Sequence, residues 1–369
     1  MIKIKNFFTE LIITIFIISF GTFLVFHPDI SFDGVKEGIS LCCNILVPSL
    51  FPFIFLSSFM INSGVSSRIG KVISPVSKIF NLPESSLSVI LLSIIGGFPV
   101  GAKGISDLFE RKIINKEQAE RMIWFCVNAG PAFILGVIGN SLIKDMKIAQ
   151  IILISQIFSS LIIALLVSLN KKQNVTNKVE PSKKMSFSES LIYSCESSSF
   201  SIINMCILVI IFNVFCCFLG NLHFFSLCSK IISTFGFPEG VSEIFPQIII
   251  EVTKACELIS LNGAFPPLFS FAVSWGGLCV HFQVISIMKK IKINYLKFLS
   301  FRLLNAILSS FLTFLMIKFK NINLNIEKID LPQYSTHFWG SIALVFCCLV
   351  FLMDINFKKL GGDIFDNDK

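Results

Sequence analysis

The chain has 369 residues, 54% of them hydrophobic and 15% charged, with 41 phenylalanines, a formal net charge of +8 and a mean hydropathy of +0.79. A soluble domain carries about 25% charged residues, so this chain cannot wet a globular surface. A soluble enzyme, a disordered chain and a nucleic-acid-binding module are excluded, and an all-α polytopic protein of the cell membrane remains.

The chain begins MIKIKNFFTE and continues into an apolar run at 11–26, a pattern like a signal peptide. No A-x-A-like site follows, since the run leads into Phe26-His27-Pro28-Asp29, so we read an uncleaved first helix that starts in the cytoplasm. Apolar runs lie at 7–26, 41–61, 122–140, 148–169, 201–219, 265–287, 299–317 and 337–353. Each approaches the roughly 20 residues that cross the hydrocarbon as a helix. Two further stretches, 86–105 and 239–262, are interrupted at mid-length by turn-forming or charged residues. The twelve cysteines sit largely in apolar runs without a C-x-x-C pair, and the four histidines are scattered. They read as packing residues, with neither a disulfide framework nor a metal site.

Charge placement decides how the interrupted stretches run. If both are re-entrant helical hairpins that leave on the side they entered, the N-terminus, 62–85, 106–121, 170–187, 288–297 and the C-terminal tail share the inside. Those segments hold 21 of the 31 basic residues, and the outer segments hold seven. If both stretches cross instead, the basic segments fall on opposite sides. The positive-inside rule therefore predicts eight spans and two hairpins.

The order of elements also repeats. Residues 1–40 are read as an N-terminal membrane helix and outer loop, 41–169 as a first repeat with its hairpin at 84–114, and 170–187 as a Lys-rich linker. Residues 188–319 form a second repeat with its hairpin at 239–262, and 320–369 a final span and tail. The turn 98–103 corresponds to 250–255, and the break Asn128-Ala129-Gly130-Pro131-Ala132 to Ser274-Trp275-Gly276-Gly277-Leu278. The first hairpin enters from inside and the second from outside, an inverted repeat of the kind secondary transporters use.

Non-helical backbone survives at membrane depth only where it lines a cavity or is buried in protein, so the chemistry is expected at these turns and breaks. Helices at 84–95 and 102–114 are predicted to meet at Gly96-Gly97-Phe98-Pro99-Val100-Gly101, because Pro99 breaks a helix and glycine admits positive φ. The second helix would aim its free N–H groups at the tip, with Lys103 in its first turn, making a place for an anion. Asn128 and Gly130 mark the first broken span; Ser274 and Trp275 mark the second, with Trp275 able to stack on a flat ligand. In the second hairpin, Glu251 is read either as an ion-pair partner of Lys254 or as a carboxylate coupling a proton or sodium ion, with Thr253 beside it. Arg302 is expected to snorkel to the inner interface, and 107–121 to be a solvated mixed-charge helix. No G-x-x-x-x-G-K-[ST] and no H-E-x-x-H occurs, so neither an ATP motor nor an enzyme is expected, and no cofactor.

GGFPVGAKG (96–104), NAGPAF (128–133) and EVTKAC (251–256) resemble the sporulation integral membrane proteins of the YlbJ/SpoVV type, part of the nucleoside-recognition or Gate group. The resemblance runs over roughly 30–320 and leaves the tail unmatched. It implies a carrier of dipicolinic acid across the outer forespore membrane, and a layout like that of concentrative nucleoside transporters. Dipicolinate is a flat pyridine with two carboxylates. Lys103 and Lys254 would supply its cations, the half-helix N–H groups with Asn128, Thr253 and Ser274 its donors, and Phe98 or Trp275 a cover for its ring; Pro99, Gly101 and Gly130 shape the turns. Two other readings stand beside this one: a nucleoside or neutral-solute transporter of the same architecture, and a non-transporting sporulation scaffold acting through 106–121. The partners expected are the bilayer, a small anion and a coupling ion, with a homo-oligomer left open.

Overall fold

The computed structural model describes residues 2–72, 77, 79–169, 185–234, 239–263 and 265–319, and all regular structure among them is helical. Among the described residues five helices are long and apolar enough to cross a membrane: Pro28–Asn62, Met146–Ser168, Phe187–Asn221, Pro266–Ile287 and Tyr295–Phe319. Large apolar side chains such as Ile207, Ile211, Phe311 and Phe314 point outward from them. In water that surface would cost about 25 cal/mol for each Å² left exposed; in lipid the cost vanishes. The chain is an integral membrane protein.

The first helix, α1 (Ile2–Phe26), is followed directly by α2 (Pro28–Leu41), a π-helical turn Cys42–Leu46 and α3 (Val47–Asn62). The expected outer loop at 27–40 is therefore helix: Pro28 occupies its first turn, where no N–H is missed, and Asp29 favours the dipole there. Helix α4 (Val65–Val72) leads to α5 (Glu84–Gly96) and α6 (Phe98–Glu110). After α7 (Lys116–Ile123), the predicted span 122–140 is not one helix. It runs irregularly to Gly130 and resumes as a π-helical segment, Ala132–Ile143. Helix α8 (Met146–Leu169) returns.

The second half opens with α9 (Phe187–Asn221), which starts 14 residues before the predicted 201 because Ser186 and Glu189 form a reciprocal capping box at its N-terminus. Then come α10 (Phe224–Ser233), α11 (Glu239–Ile250), α12 (Val252–Leu261), α13 (Pro266–Trp275), α14 (Gly277–Ile287) and α15 (Tyr295–Phe319). The expected final span at 337–353 and most of the 170–187 linker lie outside the described residues.

Hydrogen bonds and ion pairs fix which element ends share one end of the bundle. Asn62 at the end of α3 bonds Ser194 near the start of α9 (3.1 Å) and accepts from Arg111 Nε just after α6 (2.8 Å). Lys290 after α14 pairs with Glu110 (3.0 Å), and Asn81 Nδ2 donates to Ser168 O at the end of α8 (3.1 Å). At the opposite end, Ser260 near the close of α12 donates to Leu142 O (2.9 Å), and α10, which follows the far end of α9, packs on α11.

Between these ends α5 and α6 fold back on each other. A side chain at Gly101 would run into Ser93, and one at Gly104 into Val89, so contact persists two turns away from the junction at Gly97. At 1.5 Å per residue each 13-residue arm is about 20 Å long, short of a 30 Å hydrocarbon core.

Candidate functional site

The reversal rests on a single residue. Gly97 has φ +89 and ψ −175, a conformation that side-chain-bearing residues avoid, and it serves at once as C-cap of α5 and N-cap of α6. Pro99 does not break the second arm. It sits in that arm's first turn, where its fixed φ suits helix and its missing N–H is one of the orphans. The arm thus begins at Phe98 rather than 102. Lys103 is displaced into the second turn, where its ammonium pairs with Asp107 one turn further on, both buried.

The first break sheds helix carbonyls, and side chains from two other spans take them. Arg302 donates to Val127 O, Gln156 Nε2 to Ala129 O at 3.0 Å, and Asn128 Nδ2 to Phe125 O at 2.9 Å, while Ser160 donates to Asn128 Oδ1. Unwound backbone is tolerable at depth only with such partners. Arg302 consequently does not snorkel; it is wholly buried on α15. The stretch 107–121 is solvated only in part: Glu110, Lys112, Lys116 and Glu117 are exposed, while Asp107, Arg111 and Arg121 are buried and the helix splits between α6 and α7.

The second break lies at Gly276 and Gly277, both at positive φ. His281 Nε2 meets the freed Trp275 O at 2.9 Å, and the indole packs edge-on against the imidazole with centroids 4.5 Å apart. At the tip between α11 and α12, Glu251 is extended (φ −145, ψ 122). Its carboxylate caps α12 by accepting from Lys254 N at 2.8 Å, where the helix dipole favours negative charge. The expected Glu251–Lys254 ion pair is therefore a backbone cap. The Lys254 ammonium reaches instead to Glu37 on α2, at 3.0 Å.

Tips and breaks meet pairwise. A Cβ on Gly97 would lie 3.1 Å from Gly130 N, and one on Gly277 2.9 Å from Ile250 O and 3.1 Å from Glu251 N. Around these contacts sits a cavity of about 60 Å³. Its wall takes Gly97, Phe98 and Pro99 from the first tip, Gly130 and Phe133 from the first break, Glu251 and Thr253 from the second tip, and Val280 and Gln283 from α14; Ser49 and Leu50 of α3 and Met205 of α9 close it. The wall is mainly apolar, with Ser49, Glu251, Thr253 and Gln283 as its polar side chains.

Of the residues singled out from sequence, Phe98, Pro99, Gly130, Glu251 and Thr253 come together here. Gly101 packs against the Cys126 backbone, and Asn128 is spent inside the first break. Ser274 is fully buried with its hydroxyl unpaired among the described residues, and Trp275 turns to His281. Lys103 and Lys254 face carboxylates and are absent from the wall. A buried ammonium needs such a partner; the sequence reading supplied none for Lys103 and gave Lys254 Glu251 in place of Glu37. Sequence reasoning missed Ser49, Gln283, Gln156 and His281, and gave Arg302 a different role. The visible signal was a strongly polar residue, such as Gln156 or His281, inside an apolar run.

Residues 44–169 match the Gate family, described as nucleoside recognition. The chain is also similar to the sporulation integral membrane protein YlbJ of Bacillus subtilis (strain 168), with 29% identity over 157 residues, 41% of this chain. The match covers 38% of that relative's length. No solved structure matches the chain. The resemblance read from the motifs is thus borne out. The stretch matched to that family contains α3, the α5–α6 hairpin and the first break, and so contributes one side of the cavity; EVTKAC and the second break lie beyond it.

Proposed function

We propose that the protein is a secondary transporter, not an enzyme, that moves a small organic solute through the cavity between the two tips. The observation that carries this reading is the meeting of two short-armed turns and two broken helices at one place. Both ends of the α5–α6 unit lie with the ends of α3 and α8, while α11–α12 is anchored at the opposite end. That arrangement supports two opposed re-entrant hairpins. The matching contacts, first tip on first break and second tip on second break, support an inverted repeat. In this topology α1 and the broken run 116–143 cross along with the five long helices, and the final run supplies the eighth crossing.

Dipicolinate in the outer forespore membrane is the substrate and setting we favour, on the strength of the sporulation relative. The α6 N-terminus at Phe98 would offer N–H groups to a carboxylate. Glu251 would then carry the coupling proton or sodium ion, since a dianion and a bare carboxylate repel in one small cavity. A nucleoside is the second reading, favoured by a wall that holds Glu251 and no lysine. Uptake by proteoliposomes of labelled dipicolinate and labelled uridine, with and without a proton or sodium gradient, tests both. Gradient-dependent dipicolinate uptake lost in Glu251→Gln is the expected result. Uridine uptake alone shifts the assignment to a nucleoside, and no uptake of either removes the transport reading in favour of a membrane scaffold.

A further inference from the structure

Rows of polar residues start at one end of the bundle and lead toward the cavity. Arg111 just after α6, and Asp107, Lys103 and Pro99 on it, follow at four-residue spacing, one face of a helix whose other end, at Pro99, lies in the cavity wall. On α9, Ser190, Ser194 and Ser198 repeat the same spacing, and the face continues to Met205 at the cavity. Helix α3 lies between them. Its Asn62 bonds both Ser194 and the Arg111 guanidinium, and Ser57 points its hydroxyl at Gly104 of α6. At the bundle end the three helices thus join polar side chains inside an apolar protein.

Along these helices the protein leaves oxygens without partners. Asp107 uses Oδ1 for Lys103 and leaves Oδ2 bare; the hydroxyls of Ser57, Ser190 and Ser198 likewise have no hydrogen bond among the described residues, and all four atoms are buried. A buried polar group without a partner costs about 1–3 kcal/mol, and native proteins satisfy such clusters with ordered water. The seam between these helices begins beside exposed Glu110, which accepts from Tyr193 Oη at 3.4 Å.

We propose that the seam between α3, α6 and α9 is a hydrated half-channel, a file of waters held by Asp107 and the serines that joins the bundle end at Glu110 to the cavity. It gives protons and small cations a route to Glu251. The proposal takes the cavity as the solute site from the reading above, but hydration is measured without transport, so either can fail alone.

The test uses full-length protein in lipid nanodiscs with Ser57→Cys or Ser198→Cys, against Ile207→Cys on the outward face of α9. Iodoacetamide attacks only the thiolate, which forms in water and not in hydrocarbon; peptide-resolved mass spectrometry separates the new site from the twelve native cysteines. Alkylation at Ser57→Cys and Ser198→Cys at least tenfold faster than at Ile207→Cys is expected, and rates equal to that control overturn the proposal. If the cysteine variants do not accumulate, the triple variant Ser57→Ala, Ser190→Ala, Ser198→Ala decides. Water-bound hydroxyls make its Tm fall, whereas bare hydroxyls make their removal neutral or stabilising, and an unchanged or raised Tm overturns the file.

Discussion

Gly97→Ala probes the reversal directly. At φ +89 and ψ −175 an alanine meets its own backbone, a strain of about 1–3 kcal/mol. The added Cβ would also stand 3.1 Å from Gly130 N and 3.3 Å from Leu50 Cδ2, so the first tip must move a few tenths of an ångström off the first break. Together we expect a loss of about 2–4 kcal/mol, which at 1.4 kcal/mol per factor of ten lowers the folding equilibrium by roughly 30- to 700-fold. Gly220→Ala is the matched control. It lies in the last turn of α9 with nothing within 4 Å of the new methyl, and alanine there gains up to about 1 kcal/mol of helix propensity. SDS-titration unfolding of both variants in mixed micelles, followed by circular dichroism, measures the difference. A Gly97→Ala protein as stable as the Gly220→Ala protein would refute the single-residue reversal and the tight contact with Gly130.

Three further outcomes follow from the paired charges and the broken helices. Lys103→Met should destabilise by about 3–5 kcal/mol because Asp107 is left buried and alone, and Lys103→Met with Asp107→Leu should recover most of that loss; equal unfolding midpoints for the single and double variants refute the pairing. Lys254→Ala, which breaks a half-exposed contact with Glu37, should cost under about 1 kcal/mol in the same titration, and a loss above 3 kcal/mol would contradict it. Gln156→Leu strips the donor from Ala129 O and should lower stability by about 1–3 kcal/mol, with faster proteolysis at 124–131 as the local readout; unchanged cleavage there counts against the carbonyl-binding role.

The helical, membrane-embedded character was legible because hydropathy and charge placement are sums over many residues. The turn at 96–101 was legible too, since glycine and proline write their backbone effects locally. What misled was the sign of Pro99: the same residue ends a helix from inside and starts one from its first turn, and sequence alone does not say on which side of the boundary it stands. That one ambiguity moved Lys103 by a turn and made a cation for a ligand out of a partner for Asp107. The early start of α9 was written in Ser186 and Glu189, but a hydropathy window passes over a stretch containing Ser188, Ser190, Ser194 and Ser197. The Glu37–Lys254 pair and the Arg302–Val127 bond join positions more than 170 residues apart. No periodicity reports such distant partners, so the cavity wall became visible only once the chain was folded.

The glycine-on-glycine contact between residues 97 and 130 has an electrical consequence. If the proposed file of waters reaches it, the insulating layer at that contact is thinner than the lipid by the depth of the file. The membrane voltage then falls over that thinner layer rather than across about 30 Å of hydrocarbon. A proton or sodium ion passing Glu251 would then feel part of the roughly 2.3 kcal/mol per 100 mV, so the membrane potential itself would help to drive the cycle.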